Sequence, residues 1–139
     1  MGFLVFFNFK YKLREGYIKR CFFSKMEYYT YLLCCWKTKN GYNRHKPLYG
    51  DIIYCGYTYN IFQRLVEHIK GKSPYTSQFK GNIRFGYLEI HKTRKEAMNR
   101  EDKIKKFGRD EKVVMIANFQ ILSPDILDFI NNNLKKLLK

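Results

Sequence analysis

Acidic residues are scarce in this chain: 12 Asp and Glu stand against 27 Lys and Arg, leaving a formal charge of +15 over 139 residues. That imbalance excludes a preference for cationic partners and favours polyanions, namely DNA, RNA or an anionic membrane surface. The four cysteines, Cys21, Cys34, Cys35 and Cys55, form no CxxC pair, and the histidines do not sit at zinc-finger spacing. A zinc module and a disulfide framework are therefore both excluded, and the cysteines are read as free thiols in a reducing compartment. No apolar run approaches the length of a bilayer span. Met1 to Phe9 is apolar, but it runs into Lys10, Lys12 and Arg14, the reverse of the secretory order. The expectation is a soluble, intracellular, cytoplasmic protein. No internal repeat is present. Hydrophobic residues make up 45% of the chain, enough for one buried core, so a single domain with short extensions is expected. Charge alone does not fix the function: ribosomal and chromatin proteins share this balance, and AT-rich genomes raise Lys, Asn, Ile and Tyr usage.

Residues 1–25 carry six Lys or Arg and one Glu without a clear period. They read either as a basic arm or as sequence ahead of a start at Met26. Tyr28 to Cys35 is aromatic and branched, the character of a strand. Trp36 to Tyr49 is a polar loop, and Asp51 to Tyr57 is a second strand, antiparallel to the first. Asn60 caps a helix whose apolar stripe is Phe62, Leu65, Val66 and Ile69, stopped by Gly71. Ile83 to His91 is the third strand. Thr93 and Glu96 form a capping box for a helix that runs to about Phe107. A short helix at about Asp110 to Ala117 follows. Ser123 with Pro124 then starts a terminal helix with Ile126, Leu127, Ile130, Leu134 and Leu137 on one face. The order β-β-α-β-α-α-α predicts an α+β domain with a small three-stranded mixed or antiparallel sheet flanked by helices, plus an extra C-terminal helix. The expected divisions are a basic extension at 1–25, the domain at 26–117 and a helical extension at 118–139.

Two helices carry candidate chemistry. Asn60, Arg64 and His68 are four apart and share one polar face of the first helix. Arg as a charged fork and His as donor or proton carrier suit a phosphate, and a solvated face suits the same spacing. On the second long helix, Ala97, Glu101, Ile104 and Gly108 form one stripe, so Glu101 faces inward. An inward carboxylate implies either an ion pair or a bound cation. A single carboxylate completed by water and phosphate oxygens suits Mg²⁺ or Mn²⁺. Tyr31 and Tyr54 fall inside the two leading strands, where aromatic packing accounts for them equally well.

Together these positions resemble the GIY-YIG endonuclease family. Tyr29-Thr30-Tyr31 resembles its first motif and Ile53-Tyr54-Cys55-Gly56 its second, with Cys55 in place of Ile. Thr58, Asn60, Arg64 and His68 resemble the run into the first helix, and Glu101 matches the carboxylate of the following long helix. Tyr57-Thr58, Gly71-Lys72, Tyr75-Thr76, Glu96-Ala97-Met98 and Ile104-Lys105 are similar to the small single-domain bacterial and archaeal branch. The likeness spans about residues 28 to 116. The loop Trp36 to Asp51 is longer than usual for the family, Ile69 replaces a polar residue, and no cysteine-rich zinc module follows.

The resemblance implies a metal-dependent endonuclease that hydrolyses phosphodiester bonds in DNA, branched or damaged forms included, with RNA left open and DNA repair as one setting. It implies Tyr31, Tyr54, Arg64, His68 and Glu101 as the catalytic set. Glu101 would hold Mg²⁺ or Mn²⁺, Arg64 would neutralise phosphate charge, and one of the two tyrosines, with sequence unable to choose, would act as base. A free Tyr has a pKa near ~10 and needs neighbouring cations to serve. His68 would relay the proton or hold the tyrosine oxygen. Lys37, Lys39, Arg44, Lys72, Lys105, Lys106, Arg109 and Lys112 would contact the backbone. Two rivals stand beside this: a binding module of the same fold without cutting, and a basic ribosome- or membrane-associated interaction protein.

Overall fold

In the computed structural model, the residues described are 27–37 and 47–139. The expected basic arm, Cys21, Lys39 and Arg44 lie outside the described residues. The architecture is the expected α+β one. Strands β1 (Tyr28–Cys35), β2 (Ile52–Thr58) and β3 (Ile83–His91) combine with helices α1 (Ile61–Ile69), α2 (Arg94–Lys105), α3 (Arg109–Leu122) and α4 (Pro124–Leu137). A single 3₁₀ turn at Thr76–Phe79 breaks the loop before β3.

The sheet order is β2-β1-β3, and both pairings are antiparallel. β1 is central and buried from Tyr29 through Cys35, which explains its continuous rather than alternating apolar run. Its two faces are covered by different helices. Tyr31 meets α1 through His68, and Thr30 Oγ1 donates to the Ala97 carbonyl of α2 at 3.0 Å. A bulge shifts the β1–β3 register between Leu32 and Leu33. There α3 comes close, with Phe119 edge-on to Phe85 and Tyr87 at ring separations of 6.0 and 5.6 Å. α4 packs on α1 through Phe62 and Phe129.

The caps follow the sequence signals. Asn60 Oδ1 accepts from the Gln63 amide at 3.2 Å, and Thr93 Oγ1 accepts from the Glu96 amide at 3.2 Å. Glu96 reaches back to the Lys92 amide, one residue before the position a strict capping box uses. Ser123 precedes Pro124 as expected, but its hydroxyl makes no cap bond.

Three expectations are corrected. The third helix is not short: it runs fourteen residues, Arg109–Leu122, because Phe119 continues the buried face past Ala117 and nothing breaks the helix before Ser123-Pro124. The boundary expected between 117 and 118 thus falls inside α3, and Phe119, Ile126, Phe129, Ile130 and Leu134 belong to the same core cluster as β1. The buried face of α1 is Ile61, Phe62, Leu65 and His68, so it is rotated toward His68, with Val66 and Ile69 only half-buried. On α4, Leu137 is exposed and Phe129 takes a place on the buried face.

The return into β2 has its own lock. Gly50 has φ +90°, and a Cβ there would lie 2.7 Å from the Cys35 backbone nitrogen, so only glycine fits. Arg109 at the start of α3 donates to the carbonyls of Gly50 and Asp51, a structural task its spacing did not announce. Cys34, Cys35 and Cys55 are free and buried. Burial pushes the Cys35 and Cys55 thiols up to about 12, which keeps them neutral and inert. Among the described residues no single helix is long and apolar enough to cross a membrane. α3 and α4 together pass on length and composition, but they bend by 93° and turn their apolar faces to the core.

Phe119→Ala should lower the unfolding free energy of the whole domain by about 3–5 kcal/mol, read as a shift in the urea midpoint of a single transition. A separable C-terminal appendage would instead leave the main transition unmoved.

Candidate active site

The site is built where β1 and β2 run side by side. In the register Tyr31 faces Gly56 and Leu33 faces Tyr54, so both tyrosines project to the α1 side of the sheet. Their ring centroids are 6.3 Å apart. The Tyr31 ring lies across Gly56: a Cβ there would meet Tyr31 Oη at 2.5 Å and Cζ at 2.7 Å. The glycine is required by this close approach rather than by its φ angle.

His68 comes down from α1 onto these rings. Its Nε2 lies 2.8 Å from Tyr31 Oη, and its Nδ1 lies 2.6 Å from Thr76 Oγ1 on the 3₁₀ turn. The imidazole is fully buried and edge-on to Tyr54 at 5.1 Å. It was expected on a polar face with Asn60 and Arg64. That face is in fact inward at His68, because both ring nitrogens find buried hydroxyl partners. Burial, then the Arg64 charge, pulls the imidazole down to about 4. It is therefore neutral at pH 7, with one nitrogen donating and the other accepting.

Arg64 sits one turn earlier, half-buried, and donates to Glu67 at 3.1 Å. Its guanidinium is close enough to both tyrosines to oppose the effect of burial on them. Burial wins: the Tyr31 hydroxyl is pushed well above its usual range, with Tyr54 adding to the shift, and Tyr54 is raised less. Both phenols are protonated in the free protein.

Glu101 arrives from the opposite face of the sheet, on α2. It is 9% exposed beside the buried Ala97 and Ile104, the inward position that its stripe predicted. Its carboxylate pairs with Lys105, one turn on, and the lysine side chain is half-exposed. The glutamate charge is felt by Tyr31, Tyr54 and Cys55 and raises all three. Tyr31, Tyr54, His68 and Arg64 thus come together on the α1 side of the sheet, and Glu101 acts on the two tyrosines from α2 through its charge. The pair with Lys105 is the ion pair that the inward position implied, its lysine end reaching solvent. A second ion pair forms one residue away: Arg100 Nε donates to both oxygens of Glu89 at 2.9 and 3.0 Å. Tyr87 also donates to Glu89, which is 2% exposed.

Among the described residues no group of three or more His, Cys, Asp or Glu is placed to hold a metal. A single inward carboxylate with a displaceable lysine nevertheless fits Mg²⁺ or Mn²⁺, which take most of their ligands from water and substrate phosphate. Of the backbone-binding candidates, Lys37, Lys72 and Lys106 are exposed, Lys112 is half-buried, and Lys105 and Arg109 are engaged as described. Two neighbours were not picked out as site residues: Thr76, which holds His68, and Tyr75, whose ring stacks on Tyr54 at 5.7 Å. They lie in a loop with no periodicity to read, and the Tyr75-Thr76 pair itself was the only signal.

A family model described as the GIY-YIG catalytic domain matches residues 27–113. The UPF0213 protein of Staphylococcus haemolyticus is 36% identical over 64 residues, covering 46% of this chain and 78% of that protein. The UPF0213 protein of Clostridium perfringens is 30% identical over 71 residues, covering 51% of this chain and 76% of that protein. No solved structure matches.

His68 binds a proton less readily folded than unfolded, so the unfolded state takes up more protons between pH 6.5 and about 4. Stability should therefore fall as pH drops through that window, by on the order of 3 kcal/mol. Urea midpoints taken from pH 7.5 to 4.5 should show this slope in the wild type and lose it in His68→Gln.

Proposed function

The chain belongs to the GIY-YIG catalytic-domain family, and on that premise we propose that it is a metal-dependent endonuclease that hydrolyses phosphodiester bonds in DNA. The single observation that supports this reading is the Tyr31–His68 hydrogen bond with the charges of Arg64 and Glu101 both acting on the phenol. Packing alone supplies no reason for a buried phenol, a neutral imidazole and a guanidinium to come together under the charge of a carboxylate.

Arg64 sits at the rim, where its fork can take a phosphate oxygen and offset charge as the phosphorus becomes five-coordinate. Tyr31 is assigned as the base. Its hydroxyl lies against a neutral imidazole, a group able to take its proton. As Tyr31 accepts a proton from the attacking water, its own proton passes to His68 Nε2, and Thr76 holds the far nitrogen in place. Tyr54 walls the site and orients that water. Glu101 is the residue that would hold Mg²⁺ or Mn²⁺, and Lys105 would release it. When bound, the divalent ion supplies Lewis-acid stabilisation of the leaving 3′ oxygen. Exposed Lys37, Lys72 and Lys106 add sequence-independent attraction to the backbone.

A second reading, a binding module without cutting, draws on the Lys105 pairing of Glu101. A panel of labelled duplex, branched and single-stranded DNA with Mg²⁺ or Mn²⁺ separates the two. The nuclease reading expects cleavage by the wild type. It expects losses of at least 100-fold in Glu101→Gln and Arg64→Ala, with binding retained in Glu101→Gln. Tyr31→Phe should cost about 10²–10⁴-fold in kcat, and Tyr54→Phe clearly less. Binding with no cleavage in any arm selects the module. A larger loss in Tyr54→Phe than in Tyr31→Phe moves the base to Tyr54.

A further inference from the structure

Beside the site, with Arg64 in its lining, lies an open groove of about 610 Å³. None of Tyr31, Tyr54, His68 or Glu101 lines it, so it is a separate feature that shares one residue with the reacting centre. Its volume falls within the roughly 300–1,000 Å³ of small-molecule sites. Three tyrosines, Tyr28, Tyr57 and Tyr59, contribute rings to its wall. Tyr59 is 67% exposed, a large aromatic surface that packing does not explain. Arg94 leans on Tyr57, its guanidinium 6.0 Å from the ring centre and one nitrogen donating to the hydroxyl at 3.2 Å.

Much of the remaining lining is polar and joined by hydrogen bonds. Asn60 Nδ2 donates to Gln63 at 3.4 Å, Gln63 Nε2 donates to Glu67 at 3.3 Å, and Glu67 accepts from Arg64 at 3.1 Å. A bare phosphate pocket is ill served by a carboxylate. A nucleobase is well served, because its ring faces stack on tyrosine while its edge offers N–H donors to the glutamate and acceptors to the amides. The two guanidiniums at the groove suit the phosphate on either side of that base.

We infer that this groove is a subsite for one unstacked nucleotide next to the scissile phosphate, its base against Tyr59 and its edge toward Gln63 and Glu67. The inference rests on the nuclease reading, since Arg64 ties the two sites together. The ligand chemistry is base plus phosphate, and its source is a nucleotide within a nucleic-acid chain.

The test uses the full chain and a cleavable oligonucleotide whose cut position has been mapped. In a matched series, each nucleotide flanking the cut is replaced in turn by an abasic one. One flanking position should lower kcat/KM about tenfold in the wild type, the scale of a lost base–aromatic stack. Tyr59→Ala should remove that penalty while leaving the rate on the abasic substrate unchanged, and Arg94→Ala should weaken binding of both. Equal rates for every abasic substrate, or a penalty unaltered in Tyr59→Ala, overturns the subsite. In parallel, 2-aminopurine at the same position is read by fluorescence in the Glu101→Gln variant, where quenching lost in the Tyr59→Ala, Glu101→Gln double variant supports the subsite. Quenching without any wild-type cleavage would sink the nuclease reading and keep the groove, whereas cleavage with no base effect would do the opposite. Protection of the groove by free nucleoside monophosphate at equal concentration to the oligonucleotide would assign it to a small nucleotide and overturn the chain-bound source.

Discussion

The bond between Tyr31 Oη and His68 Nε2 is the constraint around which this fold is arranged. Both groups are fully buried, and a buried polar atom without a partner costs about 1–3 kcal/mol. Each therefore has to be satisfied by the other and by what lies behind. Thr76 does this for the second imidazole nitrogen, which fixes where the loop after α1 must pass. Gly56 does it by absence, leaving room for the phenol. Once His68 points inward, α1 can dock in only one rotation about its axis. Arg64, one turn earlier, then emerges at the rim, neither buried nor free in solvent. The position of the guanidinium follows from the position of the imidazole.

Much of the frame was legible because it rests on local chemistry. Asn60 and Thr93 announce their helices through side-chain oxygens that accept from amides three residues on. The Ala97, Glu101, Ile104 stripe predicted an inward carboxylate, and burial agrees. What escaped depends on partners distant in the chain. His68 reads as polar by residue type, and only the hydroxyls of Tyr31 and Thr76, 37 and 8 positions away, make its burial tolerable. Arg109 reads as one more basic residue near a helix start, yet it donates to carbonyls 58 and 59 positions back. Glu89 sits in a strand whose neighbours give no hint that Arg100 will close on it. Spacing reports which face a side chain takes; it does not report who waits on that face.

The electrostatics divide along the same line. The net charge of +15 is a long-range field that draws a polyanion toward the whole surface, and salt screens it over about 10 Å at 0.1 M. Inside the site the order reverses, because burial dominates over charge: the tyrosines are held neutral despite the nearby Arg64, and His68 is held neutral by burial with Arg64 adding to it. A neutral site is the one an incoming phosphate disturbs most. On the proposed nuclease reading, the anion would bring its own charge and displace water, with Arg64 as its counter-charge.

Glu101 shows why α2 has to be rigid for such a site to work. The helix is held to the sheet in the turn before that residue, by Thr30 on the Ala97 carbonyl and by the Glu89 fork on Arg100. Its own carbonyl lies 4.0 Å from the Cys55 sulfur. With the backbone pinned at these points, the freedom left to Glu101 is the rotation of its side chain, and the group that now restrains this rotation is a half-exposed lysine. Only the lysine end of this pair reaches solvent; the carboxylate end is buried. A buried carboxylate needs a cation at all times, so any ion that displaces the lysine has to take its place, while the carboxylate itself cannot drift from β2. A rigid backbone beneath a carboxylate whose partner reaches solvent is what a site needs if its cation comes and goes with the substrate.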